Sequence, residues 1–249
     1  MLKVLITGCK GQLGGECVEL FSECEYDVYG VDLPDVDLSD RCRCSASLER
    51  IKPDLIINCA AYTSVDACES DSSCWKANRD IPINLCEWAA DSGVFLLHVS
   101  TDYVFPGDKC LFQPWVETDN PSPISEYRRS KLEGECAINE RIDNYAILRT
   151  AWLYSSRGHN FLKTMLRLTL ENPGKEFKVV NDQYGSPTWA KTLARQIKII
   201  SKRQLHGIFH ASSEGYCTWY EFACSFMEEL NVTHNFVPCQ TEDFPTPVK

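Results

Sequence analysis

Leu2-Lys3-Val4-Leu5-Ile6-Thr7-Gly8-Cys9-Lys10-Gly11-Gln12-Leu13-Gly14 decides the fold. Leu2–Thr7 is a run of leucine and β-branched residues cut off by glycine, the mark of a buried strand. From Leu13 to Cys24 the residues Leu13, Cys17, Leu20 and Phe21 return at three- and four-residue steps, which predicts a helix with one apolar face. Between the two stands a GxxGxxG turn. Gly8 permits the tight turn, Gly11 lets backbone approach a pyrophosphate, and Gly14 lets the helix pack close to the sheet. The helix start then offers free N–H groups to an anion. Asp27–Val31 reads as the next strand, and Asp32 at its end is placed to hold an adenosine ribose. Asp32 disfavours a 2′-phosphate by repulsion, whereas Lys10 in the loop favours one. A dinucleotide site is expected here.

Working outward, strand and helix alternate. A short helix is expected over Ser45–Ile51, a break at Pro53, a strand over Asp54–Asn58 and a helix over Cys74–Asp91. Val94–Ser100 is a fourth strand, Ser125 to Arg141 a helix after Pro121 and Pro123, and Tyr145–Arg149 a fifth strand. The strands are apolar at successive rather than alternate positions, as in parallel strands covered on both faces. The fold class is therefore α/β, a doubly wound parallel sheet of Rossmann type. After Thr150 the alternation loosens: helices near His159–Glu171 and Thr188–Ser201, a strand near Phe177–Val180, then a strand and a helix. This divides the chain into a dinucleotide-binding part, 1–150, and a smaller, mostly substrate-binding part, 151–249, with some elements returning to the sheet.

Composition narrows the function. The 249 residues are 44% hydrophobic and 24% charged, ordinary for a globular chain long enough to bury a core without staples. A net charge of −10 argues against a nucleic-acid partner, which needs a basic surface. The longest apolar stretches, such as Leu55–Tyr62, are too short to cross a membrane. The opening Met1–Gly8 run is too soon broken for a signal peptide, so a cytoplasmic location is expected. The 14 cysteines include no CxxC pair and no ligand cluster, and read as free thiols serving as small apolar residues. No metal site is expected: Glu16 on the first helix is a lone carboxylate, expected to be solvated.

Two further motifs carry chemistry. In Tyr127-Arg128-Arg129-Ser130-Lys131 the phenol and the ammonium stand four residues apart on one helix face. An ammonium beside a phenol is expected to lower its pKa and make it a serviceable acid. Ser100-Thr101-Asp102-Tyr103-Val104-Phe105 ends the fourth strand, at the sheet edge where ligands bind. The Thr101 hydroxyl there can polarise a carbonyl beside Tyr127.

GxxGxxG, a strand-end threonine and YxxxK together resemble the extended short-chain dehydrogenase/reductases. Four longer stretches are narrower: Asn58–Asp66, Ser100–Gly107, Ser122–Glu135 and Asn181–Thr188. They resemble the dTDP-4-dehydrorhamnose reductase family, over Leu2 to about Val248. The resemblance implies a catalytic trio of Thr101, Tyr127 and Lys131 and a pyrophosphate loop of Gly8, Gly11, Gln12, Leu13 and Gly14. It implies an adenine side at Asp37 and Leu38, a segment under the cofactor at Ala60, Ala61 and Tyr62, and a nearby helix position at Asn78. Tyr127 and Lys131 also face the cofactor. A sugar pocket is implied at Thr101, Asp102, Tyr103, Tyr127 and Trp152, bordered by Asn181–Gly185 with Gln183. The implied reaction is reduction of the 4-keto group of dTDP-4-dehydro-6-deoxy-L-mannose by NADPH, or NADH. Mg²⁺ is implied for some members only, and the chain would be a monomer or homodimer.

The chain departs from the family pattern at Arg128 and Arg129, where glycine and a polar or basic residue are usual, and at Cys9 and Lys10. Phe244-Pro245-Thr246-Pro247 is followed only by Val248 and Lys249, where the family continues into an Arg-Pro-containing tail. An early or cut end is expected to weaken substrate affinity and spare the cofactor site. Two other functions fit the scaffold. A 4,6-dehydratase or epimerase is one, although the dehydratase Asp-Glu pair is absent because Tyr103 follows Asp102. A non-catalytic dinucleotide-binding subunit is the other, against which the complete trio argues.

Overall fold

The computed structural model describes residues 1–23, 26–107 and 113–243. Cys24 and the tail at 244–249, on which two of the expectations above fall, lie outside the described residues. Six parallel strands form the main sheet: β1 (Leu2–Thr7), β2 (Tyr26–Val31), β3 (Leu55–Asn58), β4 (Phe95–Thr101), β5 (Tyr145–Thr150) and β6 (Gly207–His210). Their spatial order is β6-β5-β4-β3-β1-β2. The order reverses between β1 and β3. In such sheets the crevice beyond the carboxyl ends of the two strands at the reversal is the ligand position.

Both faces are covered, which explains the continuous apolar runs. Val4, Ile6, Ile57, Leu97 and Leu148 point one way, onto α1 (Gln12–Ser22) and a helix at Ala190–Arg203. Leu5, Ile56, Leu96 and Ile147 point the other way, onto α2 (Arg41–Ile51), α3 (Ile81–Ser92) and α4 (Glu126–Arg141). A third cluster gathers Met165, Val179, Ala223, Met227 and Phe236 between the helices Phe161–Glu171 and Trp219–Glu229 and the paired strands Phe177–Val180 and Phe236–Cys239. The residues after Thr150 thus build this separate cluster, while Ala190–Arg203 and β6 return to the sheet.

Local chemistry moves several boundaries. Helix α2 starts at Arg41, earlier than expected, because the Asp40 carboxylate accepts the Arg43 N–H and caps it. The helix expected over Cys74–Asp91 is interrupted by a π-helical segment, Lys76–Asp80. There Asn78 turns inward and is fully buried. Helix α4 begins where expected, on a Ser125 cap.

The cysteines need one correction. Cys68 and Cys74 form a disulfide, their Cα atoms brought to 5.2 Å by the turn at Ala67–Glu69. The other ten described cysteines are free, as expected.

Candidate active site

One cleft of about 550 Å³ opens at the reversal point. The β1–α1 turn forms one wall. Gly8 has φ +62°, and a Cβ there would lie 2.8 Å from the Ala60 nitrogen, so only glycine lets this turn pass β3 so closely. Helix α1 has Gly11 as its N-cap and no side-chain cap, leaving its first N–H groups free for an anion. Gly8, Gly11, Gln12, Leu13 and Gly14 all line the cleft, as expected. These residues fit the pyrophosphate of a dinucleotide.

The opposite wall carries the reactive side chains. Thr101 ends β4; Tyr127 and Lys131 project together from α4, and all three line the cleft with Asp102, Tyr103 and Trp152. Lys131 is 2% exposed and its Nζ donates to the Val99 carbonyl at 2.8 Å. The Tyr103 ring meets the Tyr127 ring edge-on, centroids 6.2 Å apart. Thr101 Oγ1 accepts the Tyr103 N–H at 3.1 Å and donates to Asp102 Oδ1 at 3.2 Å.

Electrostatics correct one expectation. The Tyr127 phenol is pushed well above its ordinary range by burial and then by Tyr103 and Asp102, with the Thr101 hydrogen bond opposing. Lys131 does not pull it down. Burial instead lowers the Lys131 ammonium to about 8, against the raising charge of Glu135. Burial also lifts the Asp102 carboxyl to about 6, although the residue keeps some surface, and the Tyr103 phenol to about 12.

The expected cofactor residues divide. Ala61 lines the cleft. The Ala60 N–H donates to Thr7 Oγ1 at 3.1 Å, and Thr7 Oγ1 donates to Asn58 Oδ1 at 2.6 Å. Asn58 Nδ2 in turn donates to Nδ1 of His98, a ring held neutral by burial and by Lys131. This buried relay across β1, β3 and β4 fixes the strand ends under the cleft. Asn78 acts at one remove: its Oδ1 accepts the Tyr62 N–H at 2.9 Å and its Nδ2 donates to Ser130 Oγ at 3.1 Å, tying the 60–62 segment to α4. The Tyr62 hydroxyl donates outward to Asp71.

Seven of the expected residues stand outside the cleft lining: Ala60, Tyr62 and Asn78, tied in as just described, and four others. Asp32 is engaged by the loop, Oδ2 accepting the Lys10 N–H and Oδ1 the Leu33 N–H, both at 2.8 Å. Asp37 accepts from Ser39 and shapes a turn, and these bonds hold its carboxyl below the usual range. Leu38 is buried in the core beside α2. Gln183 Nε2 donates to Thr241 on an exposed edge.

Other lining residues were not foreseen. Phe161, Trp219 and Phe222 face the cleft from the C-terminal cluster, with Gly158, His159 and Asn160. Asn160 Nδ2 donates to Gln12 Oε1 at 3.0 Å, joining this segment to the glycine turn. A Thr218–Glu221 capping box followed by Trp219 and Phe222, three apart, was the available signal. Trp152 stands at φ +44°, its indole stacked on Trp219 with centroids 3.4 Å apart. A Cβ at Gly185 would overlap that indole. Gly185→Ala is therefore expected to unstack the pair at a cost of about 1–3 kcal/mol. Loss of the coupled indole signal in near-ultraviolet circular dichroism, with a lower Tm, checks it; an unaltered spectrum counts against this packing.

Glu16, expected to be solvated, is 7% exposed and pairs with Arg157 at 3.3 Å and Ser155 at 3.2 Å. Among the described residues no three His, Cys, Asp or Glu side chains cluster as a metal site, so the Mg²⁺ allowed by resemblance finds no support. No described helix is long and apolar enough to cross a membrane.

Known proteins agree with this architecture. The family profile of the RmlD substrate binding domain matches residues 2–249. A dTDP-4-dehydrorhamnose reductase of Sinorhizobium fredii is 42% identical over 232 residues, covering 89% of this chain and 76% of that one. The Escherichia coli protein of the same name is 35% identical over 266 residues, covering 100% and 87%. The crystal structure of dTDP-4-dehydrorhamnose reductase from Bacillus anthracis in complex with NADP superposes with a TM-score of 0.95 at 37% identity, covering 100% of this chain and 88% of that one. With its glycine turn, strand-end threonine and YxxxK helix around one cleft, the chain belongs to the RmlD substrate-binding-domain family, that of the dTDP-4-dehydrorhamnose reductases.

Proposed function

We propose that the chain reduces the 4-keto group of dTDP-4-dehydro-6-deoxy-L-mannose, giving dTDP-L-rhamnose. The observation that carries this reading is the meeting of Thr101, Tyr127 and Lys131 with the glycine turn around one cleft. A bound reduced nicotinamide supplies the hydride. The free N–H groups of the first α1 turn hold its pyrophosphate. Lys131, one of whose protons is given to Val99, keeps two for ribose hydroxyls. Thr101 holds the ketone oxygen, and Tyr127 Oη gives its proton to that oxygen as charge develops. Trp152, Asp102 and Tyr103 wall the sugar. On this reading residues 1–150 hold the dinucleotide and much of 151–249 the sugar nucleotide. Ten of the twelve described cysteines are free, which supports a reducing, cytoplasmic compartment, with the Cys68–Cys74 disulfide as the exception.

NADPH is the favoured cofactor. Asp32 is occupied by two backbone N–H groups, and Lys10 Nζ stands at the same loop, 2.7 Å from Asp35, with its charge favoured by that carboxylate. Purified chain is expected to oxidise NADPH when given the 4-keto sugar nucleotide. Lys10→Ala is expected to weaken NADPH binding about 3–10-fold, as for one exposed phosphate contact, and NADH binding less. Fluorescence titration with both cofactors checks the second point, and equal losses would remove Lys10 as a 2′-phosphate contact. No NADPH oxidation with this sugar would end the reading itself.

A further inference from the structure

Two features of α1 are not accounted for by the glycine turn. Gly15 stands inside the helix, where glycine is weaker than alanine. Glu16 beside it is a buried carboxylate, a position that calls for a partner. Both features meet one side chain. Arg157 lies across the helix so closely that a Cβ at Gly15 would come within 2.9 Å of its Cδ. Its Nε stands 3.3 Å from Glu16 Oε1, and its Nη2 pairs with Glu19, three residues further along. Ser155 Oγ donates to the same Glu16 oxygen at 3.2 Å. All of these partners are about 140 residues from α1 in the chain.

We propose that Arg157 is a positioning residue for the sugar nucleotide: it clamps the 155–160 segment to α1, so that Gly158, His159 and Asn160 stand as cleft wall beside the glycine turn. This rests on the reductase reading. One jaw of the clamp is rigid, because Leu13, Cys17 and Phe21 bury the opposite face of α1 against the sheet. The other jaw is ordered within itself. Asn160 Nδ2 donates to the Ser155 carbonyl at 2.7 Å, and Lys163 Nζ donates to the Ser156 and Gly158 carbonyls at 3.0 and 2.7 Å. The segment therefore holds its own shape, and its fastening to α1 sets where that shape stands. At the far end of the clamp Gly158 passes so close to Gln12 that a Cβ would lie 3.0 Å from the Gln12 Cγ.

The position carries into the sugar pocket. Asn160 caps the helix Phe161–Glu171 by accepting the Lys163 N–H. Phe161, the first residue of that helix, packs on Trp219 with ring centroids 4.6 Å apart, and Trp219 is the indole stacked on Trp152. Arg157 itself is absent from the cleft lining, so it acts through these residues without touching the reactants. The cofactor depends on the clamp less. Its pyrophosphate is held by N–H groups of α1 itself, which keep their place with the clamp open.

Gly15→Ala separates positioning from stability. Alanine favours the helix, so Tm is expected to hold or rise, while the added methyl displaces the Arg157 stem where it crosses to Glu16. KM for the 4-keto sugar nucleotide is expected to rise about 3–10-fold, with kcat and the NADPH Kd within about twofold of wild type. Arg157→Met keeps the stem and removes both ion pairs. The same rise in KM is expected, now with a lower Tm because Glu16 keeps only Ser155. Arg157→Lys can restore one of the two pairs and is expected to recover part of the KM. Steady-state kinetics, cofactor titration and thermal melts of the full chain read these effects. Wild-type KM in either Gly15→Ala or Arg157→Met, or a KM that rises only in step with loss of Tm, overturns the clamp and leaves the reductase reading standing. A wild-type chain inactive on the 4-keto sugar overturns both.

Discussion

Tyr127→Phe is expected to lower kcat for NADPH-dependent reduction about 10²–10⁴-fold, the usual contribution of a positioned acid. The change removes one oxygen and little else. The ring keeps its edge-on contact with Tyr103 and its place against the Cys68–Cys74 disulfide. Thr101 keeps Asp102 and the Tyr103 N–H as partners, so no buried hydroxyl is orphaned and the loss of stability is expected to stay near 1 kcal/mol. NADPH affinity should change little, because Lys131 and the glycine turn are untouched. The raised phenol is consistent with this role, since a sugar alkoxide is a stronger base than a phenolate and the transfer remains downhill. It also means that Tyr127 stays protonated throughout neutral pH. Single-turnover kinetics with saturating NADPH separate this loss from binding. Turnover within a few-fold of wild type would remove Tyr127 as the acid.

The part of the site legible in the sequence is the part that local geometry dictates. A strand, a turn that only glycine can make and a helix start follow from neighbouring residues, and so does the shared face of Tyr127 and Lys131. Thr101 was legible because it ends a continuous apolar strand. What escaped depends on contacts across the chain. Asp32 is expected at a ribose from its place at a strand end, but the loop bonds that each of its oxygens accepts follow from a fold-back that the sequence does not show. The Asp37 bond to Ser39 and the burial of Leu38 beside α2 likewise depend on how the segment after β2 packs. The disulfide depends on the short helical turn that carries Cys68, and the inward turn of Asn78 on a partner 52 residues away. Trp219 and Phe222 read as an ordinary apolar helix face; only the position of that helix beside Trp152 makes them cleft residues. The fall in the Lys131 ammonium and the rise in the Tyr127 phenol were equally out of reach, because burial of both outweighs the attraction expected from four-residue spacing.

Glu135→Ala is expected to cost about 3–5 kcal/mol of stability, because it strands a buried guanidinium. Glu135 and Arg149 are each 3% exposed in their side chains, and Arg149 Nε and Nη2 grip the Glu135 carboxylate, the shortest bond being 2.7 Å. The pair joins α4 to β5, one turn beyond Lys131 and two beyond Tyr127 on the same helix. For a chain of this length the cost corresponds to a Tm lower by roughly 6–20 °C. The double variant Glu135→Leu with Arg149→Met should recover most of it, since apolar replacement of a buried pair is often neutral. That recovery separates two roles of one carboxylate. Glu135 also raises the Lys131 ammonium against burial, so without it Lys131 is expected to titrate below about 8 even in the restabilised double variant. The fraction of charged Lys131 at pH 8 then falls, and the pH dependence of NADPH affinity moves to lower pH. A double variant with wild-type stability and a shifted binding profile is the expected result. If stability returns and the profile stays in place, Glu135 holds the helix but does not tune the lysine.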